Sequence, residues 1–175
     1  IRQQAAQELS GKVSAAMQTI AMAGGEFSVA LNPVEQGNAH GLEQIEFQVA
    51  AHHGLPLRPL AKVASGGELS RISLAIQVIT SKVGVVPTLI FDEVDVGIGG
   101  KVAEIVGHLL KQLGRERQVL CITHLPQVAA TGDQQWQVMK SAGQTEHQAV
   151  VSTIAALNPQ QRVEEIARML GGVNI

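Results

Sequence analysis

The chain has 175 residues, a net charge of -2 and 16% charged residues, against about 25% in typical soluble domains. This balance excludes a protein that binds nucleic acid through overall positive charge, so any DNA contact must come from a local patch. One cysteine, Cys121, excludes a disulfide framework within the chain, which suits the cytosol, and no apolar run is long enough to cross a membrane. The low charge fits either a partly covered surface or a helical domain rich in small residues.

Residues 1–23 carry the pattern of a helix that is entered partway along its length. Neither an initiator methionine nor a capping residue precedes the pattern, which ends at Gly24 and Gly25. The apolar stripe of this helix consists of Ile1, Ala5, Leu9, Val13, Met17 and Ile20. Two alternating apolar runs, at 27–31 and 45–49, then predict an antiparallel hairpin with a long polar loop.

A second helix is predicted to begin at the stretch SGGE, residues 65–68. Ser65 is placed as its N-cap, and Glu68, three residues on, completes a capping box. The buried stripe of this helix is predicted to consist of Leu69, Ile72, Ile76 and Ile79. Gly66 and Gly67 make the turn similar to a phosphate-binding loop, but no lysine stands where a P-loop requires one.

The next two apolar runs predict a parallel strand, helix, strand unit. The run VVPTLIF is continuous, which is typical of a strand covered on both faces, and it ends in Asp92 and Glu93. The helical stripe that follows consists of Val102, Ile105, Val106, Leu109 and Leu113. A second strand, QVLCI, ends in Thr123 and His124. Ligands of open α/β sheets bind beyond the carboxyl ends of the strands, so these polar residues are predicted to face one site.

The last part of the chain predicts a hairpin and a helix. Trp136 and Val138 alternate as a strand, and residues 145–154 are expected to form its partner. Asn158 and Pro159 have the composition of a helix start. The inward face of this helix is predicted to consist of Val163, Ile166, Ala167 and Leu170.

Three motifs, in this order, carry a resemblance to a known group. ASGGELSR at 64–71, LIFDEVD at 89–95 and ITH at 122–124 resemble the signature motif, Walker B motif and switch histidine of ABC-type ATPases. Together with the ending EEIARMLGG, they resemble more narrowly the RecN family of bacterial DNA repair proteins, relatives of the SMC proteins. The resemblance covers the whole chain and implies an α/β fold, the C-terminal half of a split ATPase head with a mixed sheet. Residues 1–23 would be the end of a coiled-coil helix, and 24–175 the C-terminal lobe of the head.

The resemblance also implies roles for the residues at the strand ends. Asp92 would hold Mg²⁺ through water, and Glu93 would orient and deprotonate the water that attacks ATP. His124 would contact the γ-phosphate. Read one at a time, two acids after a strand are more often loop caps, and a histidine there is more often a hydrogen-bonded structural residue.

The SGGE turn would act across a dimer of heads. The resemblance implies that Ser65, Gly66, Gly67 and Glu68 would meet the γ-phosphate held by a second head in an ATP-dependent homodimer. The Walker A lysine would come from the N-terminal half of the same head, so the chain by itself is expected to be inactive as an ATPase.

Three further residues are candidates with open roles. The D-loop of ABC ATPases usually ends in Leu-Asp, whereas Ile98-Gly99 stands there in this chain, which makes Asp95 the candidate for the dimer contact. Gln127 lies in a family-typical LPQVA segment and is a second candidate for contact with the nucleotide. Arg71 would either bridge subunits or pair with an acidic neighbour.

The resemblance implies a cytoplasmic, nucleoid-associated protein of recombinational double-strand break repair, in which the intact protein contacts DNA. Two alternatives stay open. One is the ATPase subunit of another ABC-type system such as a transporter, although transporter signatures typically have Gln where Glu68 stands. The other is a structural module with a vestigial nucleotide site.

Overall fold

The computed structural model describes residues 1–39, 41–63, 65–81, 86–141 and 151–171. This part of the chain is mixed α/β. Its helices are α1 Arg2–Met17, α2 Gly66–Ile79, α3 Gly100–Leu113, α4 Pro126–Ala129 and α5 Pro159–Met169, with a short 3-10 turn at Leu60–Lys62. Its strands are β1 Glu26–Asn38, β2 Gly41–Ala50, β3 Arg58–Pro59, β4 Thr88–Phe91, β5 Gln118–Cys121, β6 Trp136–Ser141 and β7 Val151–Ala156. None of the described helices is long and apolar enough to cross a membrane.

Helix α1 packs along the β1–β2 hairpin. Two serines of the helix accept hydrogen bonds from the strand: Ser14 Oγ from the N–H of Phe27 and Ser10 Oγ from that of Val29, both at 2.9 Å. The helical stripe predicted from the first residue is wrong at its start, because Ile1 is exposed. Burial begins further along the helix, at Ala6, Val13 and Met17.

The predicted antiparallel hairpin is confirmed, but its long loop is wrong. The strands stay paired from Glu26 opposite Ala50 to Asn38 opposite Gly41, with a register shift after Pro33. A backbone ladder needs no apolar side chains, so the polar stretch continues the strands instead of leaving them. Pro33 has no N–H to donate, which agrees with the irregular pairing beyond it.

Helix α2 begins at the predicted residue, and most of its predicted stripe faces inward: Ile72 is buried, and Ile76 and Ile79 are partly buried against the core. Ser65 Oγ accepts a hydrogen bond from the N–H of Glu68 at 3.3 Å, as an N-cap does. The predicted capping box is not completed, because the Glu68 side chain makes no return bond to the N–H of Ser65. Leu69, which was predicted to be buried, is exposed, whereas Arg71 and Ile72 are buried. The guanidinium of Arg71 donates through Nη1 to the carbonyl oxygen of Val96 at 2.8 Å, whereas its buried Nε has no hydrogen-bond partner among the described residues.

The parallel strand, helix, strand unit is confirmed. Strands β4 and β5 pair in parallel, with Phe91 opposite Cys121, and α3 connects them. Helix α3 buries a face shifted from the predicted stripe; its buried residues are Ala103, Val106, Gly107, Leu110 and Leu113. The prediction that β4 is covered on both faces is wrong in the described chain, because Ile90 is 66% exposed; Ile122, just after β5, is 56% exposed. One face of the parallel pair is therefore open.

Strands β6 and β7 pair antiparallel, and α5 docks near them through polar groups. The predicted partner strand at 145–154 is confirmed from Val151, while its earlier residues lie outside the described part. The inward apolar face predicted for α5 is wrong at Val163 and Leu170, which are exposed. Arg162 instead donates to carbonyl oxygens of residues 129, 130 and 132, and Glu165 is buried.

The buried apolar core joins α1, the hairpin, α2, β4 and α3. Its largest fully buried side chains include Met17, Ile20, Met22, Phe27, Ile72, Leu74 and Leu113. Because this one cluster reaches from α1 to α3, it fixes the start of α2 and the end of β4 on a common scaffold.

Cys121, at the end of β5, should be unreactive while the chain is folded. Burial raises the pKa of its thiol from 9.0 to about 12, and the nearby carboxylates of Asp95 and Asp92 add to the shift. At about pH 8 the thiolate fraction should therefore be about 10³-fold smaller than in the unfolded chain, and alkylation should slow accordingly. Mass spectrometry of the Cys121 peptide after iodoacetamide treatment measures this rate.

The same shift gives the sign of a pH effect. The folded state favours the neutral thiol, so this contribution to stability is complete below pH 9.0 and is lost as the pH rises through about 12. Equal alkylation rates for Cys121 with and without urea would contradict the burial argument.

Candidate functional site

Two acidic residues end β4 in a strained turn. Asp92 and Glu93 are both exposed, and the N–H of Glu93 donates to Asp92 Oδ1 at 2.9 Å. Glu93 has a backbone φ of 58°, in the left-handed region that residues with a Cβ rarely adopt. This conformation costs about 1–3 kcal/mol and is typical of functional positions.

The carboxylate of Glu93 lies over the start of α2. A Cβ added to Gly66 would overlap Glu93 Oε2, and one added to Gly67 would lie 3.3 Å from the Glu93 carbonyl oxygen. The two glycines therefore allow the SGGE turn and the β4 end to approach each other closely. The structure thus brings Gly66 and Gly67 of the SGGE turn together with Glu93 of the second motif.

Side chains of α2 hold the loop after β4 in place. Ser70 Oγ donates to the carbonyl oxygen of Asp92 at 2.6 Å, one turn from the helix start. Arg71 is buried and bonded to Val96 within its own chain, so it neither pairs with a carboxylate nor lies exposed to a second subunit. Burial lowers the pKa of the Arg71 guanidinium, and the charge of Glu68 opposes this effect.

The carboxylate of Asp95 ties the loop after β4 to the turn after β5. Asp95 is 1% exposed. Its Oδ2 accepts hydrogen bonds from the Thr123 hydroxyl, from the N–H of His124 at 3.1 Å and from the N–H of Leu125 at 3.4 Å. In the described chain Asp95 thus faces its own backbone, and a contact with a second subunit would require it to leave these donors.

His124 and Gln127 follow β5 in different environments. The His124 side chain is 66% exposed, and its Nδ1 lies 3.4 Å from Asp95 Oδ2. Gln127, in α4, is half-buried, and its Oε1 is buried with no hydrogen-bond partner among the described residues. His124 is therefore accessible to a ligand, whereas Gln127 faces inward.

Asp92 is the residue of this region that suits a magnesium ion. In the part of the chain that the structure describes, no group of three or more His, Cys, Asp or Glu side chains could hold a metal by itself. Mg²⁺ in nucleotide sites needs one or two carboxylates, with phosphates and water as its other ligands. Asp92 is exposed, and its Oδ1 accepts a hydrogen bond from the N–H of Glu93. Its carboxylate could therefore serve as the single protein ligand of such an ion.

Sequence reasoning placed the strand-end residues correctly and missed the groups that hold them. The parallel unit predicted from the apolar runs put Asp92 and Glu93 at the same sheet edge as Thr123 and His124, and these residues follow two paired parallel strands. The bonds of Ser70 to Asp92 and of Thr123 to Asp95 were not predicted. No periodicity signals such bonds, because they depend on how separate elements pack.

Comparison with curated proteins finds close relatives. The chain is 49% identical over 178 residues to the DNA repair protein RecN of Xylella fastidiosa (strain 9a5c), covering 99% of this chain and 31% of that protein. It is 49% identical over 175 residues to RecN of Haemophilus influenzae, with the same shares. RecN of Mycobacterium leprae is 39% identical over 193 residues, covering 99% and 32%. The chain thus spans about a third of the length of these relatives.

Solved structures show the fold. The Smc head domain of Pyrococcus yayanosii, with a coiled coil and joint, superposes with a TM-score of 0.65 at 21% identity, covering 95% of this chain and 29% of that chain. A structure described under "Structural biochemistry of ATP-driven dimerization and DNA stimulated activation of SMC ATPases" gives 0.54 at 20% identity, covering 95% and 94%.

No protein-family model matches the chain. The relatives decide its membership nevertheless, because several are far more than 30% identical across nearly all of it. Its fold is that of an SMC ATPase head. The chain belongs to the RecN family of DNA repair proteins.

Proposed function

We propose that this chain is the C-terminal half of an ATPase head that closes on ATP as a dimer, in a protein that repairs DNA double-strand breaks by recombination. The observation that carries the proposal is the convergence of three motifs. The SGGE turn, the acidic pair after β4 and His124 after β5 meet around a single loop, residues 92–96. Family membership supports the repair role, since the relatives are named DNA repair proteins. It leaves no support for a transporter subunit.

The open face of the β4–β5 pair supports a split head. Parallel sheets are normally larger and covered on both faces, because apolar side chains line both sides. Here Ile90 and Ile122 are more than half exposed, and Leu120 is 37% exposed. We infer that the N-terminal half of the head, which would carry the Walker A lysine, adds strands or covers this face. The chain's span of about a third of its relatives leaves room for such a segment.

The strand-end residues would divide the chemistry of ATP hydrolysis. Asp92 would hold Mg²⁺, which neutralises charge on the phosphates when it is bound. Glu93 is exposed and placed by its left-handed backbone, so its carboxylate can orient the attacking water and accept a proton. The imidazole of His124 is exposed at the neighbouring strand end and can donate to a γ-phosphate.

The SGGE turn would act on the nucleotide of the second head. The N-terminus of α2 offers N–H groups to an anion, and its glycines allow close approach. In the single chain the Glu93 carboxylate lies over this turn. A carboxylate and a phosphate repel each other, so head closure would turn Glu93 away from Gly66 and toward the nucleotide of its own subunit.

The remaining partners concern the complete protein. With a net charge of -2, this chain has no overall positive charge that would attract DNA. The complete protein would therefore contact DNA through a local patch or through its other parts. The proposed role in recombination places the protein in the cytoplasm, on the nucleoid.

Replacement of Glu93 tests the proposed base. In the complete protein, Glu93→Gln should lower turnover by about 10²- to 10⁴-fold while ATP binding is kept, because the amide keeps the shape and cannot accept the proton. Closed, ATP-bound dimers should accumulate. Steady-state hydrolysis and size-exclusion chromatography with ATP measure the two effects.

A matched control is Glu104→Gln, which removes an exposed carboxylate of α3 that pairs with His108. We expect it to hydrolyse ATP at the wild-type rate. Near-normal turnover in Glu93→Gln would place the base elsewhere.

Replacement of Ser65 tests the action of the turn across the dimer. Ser65→Arg should block head closure and leave the ATP affinity of the monomer unchanged, because a bulky side chain prevents close approach to the phosphate of the other head. Ser65→Asp is sharper, since aspartate keeps the N-cap of α2 and adds a negative charge that repels phosphate. Labelled-ATP titration below the dimerisation concentration and sedimentation with ATP measure affinity and closure.

The control for both Ser65 variants is Ser152→Arg, at an exposed position of β7. It should close normally. If the Ser65 variants lose monomer affinity for ATP, the turn contacts the nucleotide of its own subunit and the dimer interpretation is wrong.

The 175-residue chain by itself tests the split site. Without a Walker A loop it should hydrolyse no ATP above the rate of its own Glu93→Gln variant, because no lysine and no N–H cradle would hold the phosphates. Addition of the missing half of the head should restore turnover. Hydrolysis by the isolated chain, lost in Glu93→Gln, would contradict the composite site.

A further inference from the structure

Asp95 is the most deeply buried acidic residue of the site region. It is 1% exposed, although it lies three residues after Asp92 in a loop whose other acidic residues are exposed. A buried carboxylate costs several kcal/mol unless hydrogen-bond donors replace the water it loses. The identity of those donors therefore shows what the burial of Asp95 holds in place.

All the donors to Asp95 come from the turn that carries His124. Its Oδ2 accepts from the Thr123 hydroxyl and from the N–H groups of His124 and Leu125, at 3.1 Å and 3.4 Å for the two backbone donors. Thr123 Oγ1 also accepts from the N–H of Leu125 at 3.0 Å, which closes the turn on itself. One oxygen atom thus fixes the backbone on both sides of the histidine.

The same oxygen faces the imidazole ring. His124 Nδ1 lies 3.4 Å from Asp95 Oδ2, within ion-pair range, and the rest of the His124 side chain is 66% exposed. When a carboxylate lies beside one ring nitrogen, it orients the ring and directs the other nitrogen outward. In this chain Asp95 Oδ2 lies beside Nδ1, which leaves Nε2 as the ring nitrogen available to a ligand.

We propose that Asp95 is the positioning residue of His124, which holds both its backbone and its ring so that Nε2 faces the γ-phosphate. This inference rests on the proposed ATPase function. It replaces the D-loop role that the resemblance suggested for Asp95, because the carboxylate is engaged within its own chain. Asp95 would therefore act through the histidine and not on the nucleotide itself.

A double-mutant cycle in the complete protein separates positioning from a general structural role. Asp95→Asn should lower kcat by about 10- to 100-fold, as loss of an orienting partner typically does, with ATP affinity near that of the wild type. His124→Ala should lower kcat as well. If Asp95 acts through His124, the double variant falls no further than His124→Ala. If the double variant falls by the product of the two single effects, the proposal is overturned.

A spectroscopic measurement needs no turnover. In nucleotide-free complete protein labelled at the histidine rings, the His124 signal is identified by its loss in His124→Ala. Asp95→Asn should shift that signal. Asp133→Asn, the matched control, removes an exposed carboxylate that pairs with Lys111 and should leave it unshifted. An unchanged His124 signal in Asp95→Asn would overturn the proposal.

Thr123 supplies a second set of variants in case Asp95→Asn does not fold. Thr123→Ser keeps the hydroxyl donor to Asp95 and should keep turnover and the His124 signal. Thr123→Val keeps the shape, loses the donor and should change both. Equal behaviour of the two variants would count against the arrangement.

The outcomes also separate this inference from the proposed function. If wild-type protein hydrolyses ATP and Glu93→Gln abolishes turnover, while Asp95→Asn is normal, the positioning role fails and the ATPase function stands. If Glu93→Gln turns over normally, the proposed base fails, whereas the shift of the His124 signal in Asp95→Asn still decides the positioning role.

Discussion

The buried carboxylate of Asp95 is the interaction on which the geometry of the strand ends depends. Strands β4 and β5 pair over four residues each, which fixes where they end but not how the chain continues. Asp95 determines the path of the chain beyond the strands, because its Oδ2 accepts hydrogen bonds from the backbone of residues 124 and 125 and so holds that turn against the loop after β4. Because the donors replace lost hydration, the burial that would otherwise destabilise the carboxylate makes its position specific.

A second constraint is the incomplete sheet. A parallel pair has little stability without further strands or a cover on each face, and here α3 and the core cover only one. The side chains on the open face, including Ile90 and Ile122, are apolar, so their exposure to water lowers the stability of the isolated chain. The proposed N-terminal half of the head would account both for the open sheet and for the absence of a P-loop lysine from this sequence.

The sequence predicted features that local chemistry determines. The N-cap at Ser65, the helix start at Asn158 and the parallel unit of β4, α3 and β5 all follow from nearby residues and are confirmed. The orientation of helices about their axes was predicted less well. Leu69 and Val163 are exposed, and on the same helices Arg71 and Arg162 donate to carbonyl oxygens of neighbouring elements. Such partners come from distant parts of the chain, and a helical period does not reveal them.

The position of Glu93 shows how the start of α2 and the β4 end depend on each other. A left-handed backbone at a residue with a Cβ persists only where surrounding contacts hold it. Here Ser70 binds the carbonyl oxygen of Asp92, one residue before Glu93, and Arg71 binds that of Val96, three residues after it. Both side chains belong to the first turns of α2. A displacement of this helix start would therefore pull on the backbone around Glu93. Under the proposed function, the base of one site would then be sensitive to the phosphate that a second head brings to this turn.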